Sequence, residues 1–127
     1  MKPILVINDD PEILGMMIEL LKDGNFVHLA ASSGEQVMTQ ATGYDFSLAI
    51  LDLKLPDMDG DELYEKLLFQ ESHYDLPIVA LVDSMDGDEV KVLNRLLPKG
   101  KVTLLTKPVK PEWLIELFEQ YGERRKS

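Results

Sequence analysis

Five short apolar runs, each followed by a stretch with helical spacing, constrain the fold of this chain more than any other feature. The runs cover residues 4–7, 26–30, 48–51, 78–82 and 102–105. The first, third and fourth are unbroken and rich in Ile, Leu and Val, as strands buried on both faces are. The second carries His28 in its middle and reads as an edge strand.

The intervening stretches repeat apolar residues at three and four. In the first, Leu14, Met17, Ile18 and Leu21 form a stripe, Asp10 can cap the start, Pro11 suits the first turn and Gly24 supplies a stop. The second runs over about 33–41, where Ser32 and Glu35 fit a capping box. The third begins near Asp59, with Leu63, Leu67 and Leu68 as its stripe. The fourth spans about 88–97, carries Val90, Val92, Leu93, Leu96 and Leu97, and stops at Pro98. The fifth starts near Pro111 and lines up Leu114, Leu117, Phe118 and Tyr121. Such alternation predicts parallel strands joined by right-handed crossovers, with helices on both faces of one sheet.

Length sets the domain count. The 127 residues suit one domain, and no linker, repeat or low-complexity stretch divides them. We read 1–122 as the domain and 123–127 as a polar tail that frays or starts a linker. With 13 basic and 23 acidic residues the net charge is −10, which opposes binding to nucleic acid or anionic membranes through the general surface. No apolar run approaches the ~18 residues of a membrane span, and residues 1–10 turn acidic too early for a signal peptide. Cysteine is absent, which removes disulfides, thiolate metal sites and a cysteine nucleophile. A cytoplasmic location is the expectation.

In an open α/β sheet, ligands bind beyond the carboxyl ends of the strands. The residues that leave those ends are Asn8, Asp9 and Asp10; Asp52 and Lys54, then Pro56 and the turn Asp57-Met58-Asp59-Gly60; Val82, Asp83 and Ser84; and Thr106, Lys107 and Pro108. If strands one and three are neighbours, Asp9 and Asp52 converge on one pocket, and Lys107 reaches it from the side. Two close carboxylates favour a cation between them, and hard oxygen ligands in small number suit Mg²⁺. A carboxylate nucleophile, that ion and a lysine are sufficient for phosphoryl transfer onto aspartate.

The segments ILVINDDPEIL, LAILDLKLPDMDG, LPIVAL and LLTKP, in this order and spacing, resemble the receiver domain of two-component response regulators over essentially the whole chain. The resemblance implies a flavodoxin-like, doubly wound sheet of five parallel strands in the order 2-1-3-4-5 with five flanking helices. It implies that Asp52 accepts a phosphoryl group from a histidine kinase or phosphotransfer protein. Asp9 and Asp52 would ligate Mg²⁺ with the backbone carbonyl of Lys54, Lys107 would pair with the phosphoryl group, Pro108 would follow a cis bond, and Pro56 and Gly60 would shape the loop after Asp52. The implied output is a downstream protein or output domain, met on the face of helix four, strand five and helix five, through which family members also dimerise. A self-modifying phosphoryl acceptor of this kind is not a turnover enzyme.

Several positions depart from that pattern. Asn8 stands where an acidic residue is usual, leaving it to hold a metal-bound water, and Lys54 adds positive charge; both weaken Mg²⁺ binding. Val82 replaces the hydroxyl residue at the end of strand four, and Leu104 replaces the aromatic switch residue on strand five. Asp83 stands where a small residue is usual. These changes motivate an alternative, a receiver-like interaction domain that works without phosphorylation.

Other readings fare worse. The Asp57–Asp61 string has glycine at its fourth rather than sixth position, so it is no calcium loop. Lys54 occupies the place of the second aspartate of haloacid-dehalogenase phosphatases. No Gly-rich loop follows strand one, and no G-x-S-x-G elbow is present. His28 and His73 lack metal-ligand spacing, and Met16, Met17 and Trp113 read as packing residues.

Overall fold

The computed structural model describes residues 1–40, 45–68 and 76–125. Strands β1 (Ile4–Ile7), β2 (His28–Ala31), β3 (Leu48–Asp52), β4 (Ile78–Val82) and β5 (Val102–Thr106) alternate with helices α1 (Pro11–Asp23), α2 (Gly34–Gln40), α3 (Gly60–Leu68), α4 (Gly87–Leu96) and α5 (Pro111–Tyr121). All strands are parallel and lie in the order β2-β1-β3-β4-β5, so the doubly wound, flavodoxin-like α/β sheet is as the sequence implied.

The three interior strands bury every residue, and alternation sends their side chains to two cores. Leu5, Ile7, Leu51, Ala80 and Val82 join Val37, Leu63, Leu67 and Leu93 on the face of α2, α3 and α4. Ile4, Val6, Ile50 and Leu81 join Met17, Leu21, Leu114 and Phe118 on the face of α1 and α5. β2 is an edge strand, as expected, and β5 is the other edge.

Local differences from the sequence reading have identifiable causes. β2 begins at His28 rather than 26, because the Phe26 N–H donates to Leu21 O at 2.9 Å and its ring packs on Phe118 with centroids 6.0 Å apart. The cap falls one residue later than expected and the box is not reciprocal: Ser33 Oγ accepts from the Gln36 N–H at 3.2 Å, and Gln36 Oε1 accepts from the N–H of Ser32, one residue before the cap, at 2.8 Å. Pro98 does not end the fourth helix abruptly; a 3₁₀ turn carries the chain from Leu97 to Lys99. Asp10 caps α1 through the Glu12 N–H at 2.9 Å, and Gly24 closes it, as the sequence predicts.

Residues 123–125 make specific contacts with the domain. The Val27 N–H donates to Glu123 O, Arg124 bridges Phe26 in antiparallel fashion, and its guanidinium lies 4.5 Å from the Phe26 ring centroid. The expectations placed on Ala41, His73, the Leu68 side chain and the last two residues fall outside the described residues.

Candidate functional site

β1 and β3 are neighbours with Ile7 opposite Leu51, so the residues that follow both strands meet at one end of the sheet. Asp52 ends β3 opposite Leu81 of β4 and is 5% exposed. Lys107 follows β5, where its N–H donates to Val82 O at 2.9 Å. That anchor aims the side chain inward: Lys107 Nζ lies 2.9 Å from Asp52 Oδ1 and 3.2 Å from Oδ2. The Lys107–Pro108 peptide is cis. A shallow pocket of about 220 Å³ is lined by Asp9, Asp52, Lys54 and Lys107 together with Asp83, Ser84, Asp86 and Glu89. Asp9, Asp52 and Lys107 are therefore brought together as anticipated.

Five carboxylates and two lysines share this pocket. Burial pushes the Asp52 carboxyl above its ordinary value; the hydrogen bond and charge of Lys107 pull it back in part, and Asp9 and Glu89 push it further up. Lys54 points away, its Nζ 3.4 Å from Asp88 Oδ2 on α4. Asn8 is fully buried; its Oδ1 accepts from the Asp10 N–H at 2.8 Å, and its Nδ2 has no partner among the described residues. The donor set fits a hard divalent ion, since Asp9 and Asp52 offer carboxylate oxygens to the same cavity.

Val82 is buried at the end of β4, and Leu104 on β5 is 40% exposed. Pro56 is exposed on the loop after β3. Gly60 ends that loop, donating its N–H to Leu53 O at 2.7 Å.

Three polar anchors escaped the sequence reading. Asp57 caps α2 from the loop after Asp52, accepting the N–H groups of Gly34 and Glu35 at 3.0 and 2.8 Å, and these bonds hold its carboxyl below the usual range. Arg95 of α4 pairs with Asp59 at 3.1 Å and Asp61 at 2.9 Å. Glu89 is buried, and its carboxylate accepts the N–H groups of Asp83, Ser84 and Met85, each at 2.8 Å. Asp86 and Glu89 form a D-x-x-E capping pattern, the signal that was there to find.

A family model for the response regulator receiver domain matches residues 4–119. The chain belongs to that family. The receiver is 30% identical over 110 residues to the response regulator GtcR of Aneurinibacillus migulanus, covering 87% of this chain and 43% of GtcR. It is 33% identical over 124 residues to the cell cycle response regulator CtrA of Brucella ovis, covering 98% of this chain and 51% of CtrA. The receiver thus spans about half or less of these two relatives. Among solved structures it superposes on a CheY-like response regulator receiver domain protein from Methanospirillum hungatei JF-1 with a TM-score of 0.75 and 26% identity, covering 94% and 92% of the two chains. Among the described residues no helix is long and apolar enough to cross a membrane.

Proposed function

We propose that this receiver is a phosphorylatable signalling module in which Asp52 accepts a phosphoryl group from a partner histidine kinase or phosphotransfer protein. The observation that carries the reading is the buried Asp52 carboxylate held by Lys107 in a pocket shared with Asp9. An Asp52 oxygen forms the new P–O bond as the donor's P–N bond breaks. Lys107, already paired with both Asp52 oxygens, turns to the phosphoryl oxygens as charge arrives there. Asp9, Asp52 and the Lys54 carbonyl would hold Mg²⁺, which when bound neutralises phosphoryl charge. Asn8 is fully buried with its Oδ1 already accepting from the Asp10 N–H, so it would act through a metal-bound water and not as a direct ligand.

A groove beside Lys107, with Ile13, Met16 and Val109 among its lining and Asp10 and Glu12 at its rim, suits the approach of the donor. Leu97, Leu104 and Ile115 are exposed on the α4–β5–α5 side, which supports a partner surface there. The exposed Leu104 and the buried Val82 also favour a second reading, an interaction domain indifferent to phosphorylation; it requires that Asp52→Ala leave partner binding unchanged.

The deciding experiment is incubation with Mg²⁺ and acetyl phosphate followed by intact-mass measurement. The wild type gains one phosphoryl group and Asp52→Asn gains none. No gain in the wild type at saturating Mg²⁺ overturns the proposal.

A further inference from the structure

Glu89 is a buried charge that phosphoacceptance by itself does not require. It sits on the first turn of α4, 7% exposed, yet its carboxylate turns back into the loop that follows β4. Its Oε2 accepts from the Asp83 N–H, and its Oε1 accepts from the Ser84 and Met85 N–H groups. Met85 has a φ of 53°, in the left-handed region that methionine seldom enters. Consecutive N–H groups that converge in this way form an anion nest, and here the nest is filled by the protein's own carboxylate. Asp83 and Ser84 of the nest, and Glu89 itself, line the same pocket as Asp52 and Lys107. The negative charge of Glu89 acts on Asp52, as the upward push on the Asp52 carboxyl records.

Phosphorylation of Asp52 replaces a carboxylate charge with a phosphoryl group of about −1.5 to −2, a net gain of up to about one negative charge, in a pocket that already holds Asp9, Asp83, Asp86 and Glu89. Val82 offers no hydroxyl at the end of β4, so the donors on that side of the pocket are the loop N–H groups and the Ser84 hydroxyl, which itself lies 3.4 Å from Glu89 Oε1. Glu89 holds those same donors. Phosphoryl oxygens can accept the donors that line the pocket in its place, while Glu89 swings from α4 toward solvent and escapes a like charge.

We propose that Glu89 is a resident stand-in for the phosphoryl group: it fills the nest of Asp83, Ser84 and Met85 in the resting protein and is displaced when Asp52 is phosphorylated, which moves the β4–α4 loop and the first turn of α4. This rests on Asp52 as phosphoacceptor.

The test titrates wild type, Glu89→Gln and Glu89→Ala with beryllofluoride and Mg²⁺. Calorimetry gives the affinities, and amide nitrogen–proton spectra follow residues 83–85. Both variants are expected to bind about tenfold tighter than the wild type, because one like charge is gone. In the wild type the three amide signals shift on saturation. If Glu89 only braces the loop, its removal loosens the loop and binding weakens or is unchanged; that result, or unmoved amides in the saturated wild type, overturns the gate and leaves the Asp52 reading standing. Binding by both variants where the wild type binds not at all supports the gate in its strongest form. Binding by no variant sinks the Asp52 reading, and the gate with it, since an opened nest then exposes no site.

Discussion

Asp52 and Glu89 are carboxylates on one pocket with opposite relations to pH. Burial raises the Asp52 carboxyl above its ordinary 3.8 despite Lys107, so the folded protein binds that proton more readily than the unfolded chain. The contribution of Asp52 to stability is therefore fullest below 3.8 and is lost as pH rises through its folded value. For Glu89, burial opposes the charge, but the N–H groups of Asp83, Ser84 and Met85 outweigh it and hold the carboxyl below 4.5. Asp57 lies below 3.8 for the same kind of reason. Their contributions are present above the unfolded values and are lost as pH falls through the folded ones. We therefore expect opposite slopes in urea midpoints from pH 3 to 7: Asp52→Asn gains on the wild type as pH rises, and Asp57→Asn loses. Parallel curves for the two variants would contradict the assigned environments. Val82→Thr tests the missing hydroxyl. An unpaired buried hydroxyl costs about 1–3 kcal/mol in the resting protein, while a bond to a charged phosphoryl group returns about 1.5–3 kcal/mol, or about 10- to 150-fold in beryllofluoride affinity. The expected result is a lower melting temperature with tighter analogue binding; no tightening would place residue 82 out of reach of the phosphoryl group. Asp9, Asp52 and Lys107 were legible because strand ends announce themselves where an apolar run meets a charge. Glu89 was not, because its D-x-x-E pattern signals a cap and does not say that the carboxylate would reach past the cap to three loop N–H groups.

Elements were legible where one hydrophobic period ran through them, and their ends were not where a distant residue set them. The N-terminus of α2 depends on Asp57, 23 residues from Gly34, which no local pattern can encode. The polar tail reads as unstructured, yet Arg124 covers the Phe26 ring, donates Nε–H to Gly24 O at 3.0 Å, and is flanked by paired backbone at Val27 and Asn25. Ending the chain at Gly122 removes these contacts; we expect a loss of about 1–3 kcal/mol, read as a fall of several degrees in melting temperature. An unchanged melting temperature would mean the strap contributes nothing. The start of α3 makes a stricter demand. A Cβ at Gly60 would stand 2.8 Å from Leu51 Cδ1, 3.1 Å from Asp52 O and 3.3 Å from Leu53 Cα. Two of those atoms belong to backbone at the end of the central strand, so little can yield. Gly60→Ala should cost about 1–3 kcal/mol and weaken phosphoryl-analogue binding, because the atoms it displaces carry the Asp52 backbone. Retained stability with retained binding would show that the loop has slack.

The whole molecule carries a net charge of −10, and its site concentrates that imbalance, with five carboxylates against two lysines. Salt of any kind should stabilise such a protein, since raising ionic strength from 0.01 to 0.1 M shortens the Debye length from about 30 to about 10 Å and screens self-repulsion. A bound ion adds something that screening does not. A ligand present at ten times its dissociation constant stabilises by about 1.4 kcal/mol, worth a few degrees in melting temperature for a domain of this size. Magnesium chloride should therefore raise the melting temperature beyond sodium chloride at matched ionic strength. Asp9 is exposed at the rim of the pocket, so Asp9→Asn should keep the fold and the sodium response while losing the magnesium increment. Asn8→Asp should enlarge that increment by restoring an acceptor pair in place of an amide whose Nδ2 can only donate. Equal responses to the two salts in the wild type would mean that the acidic pocket is screened like any other surface and holds no divalent ion.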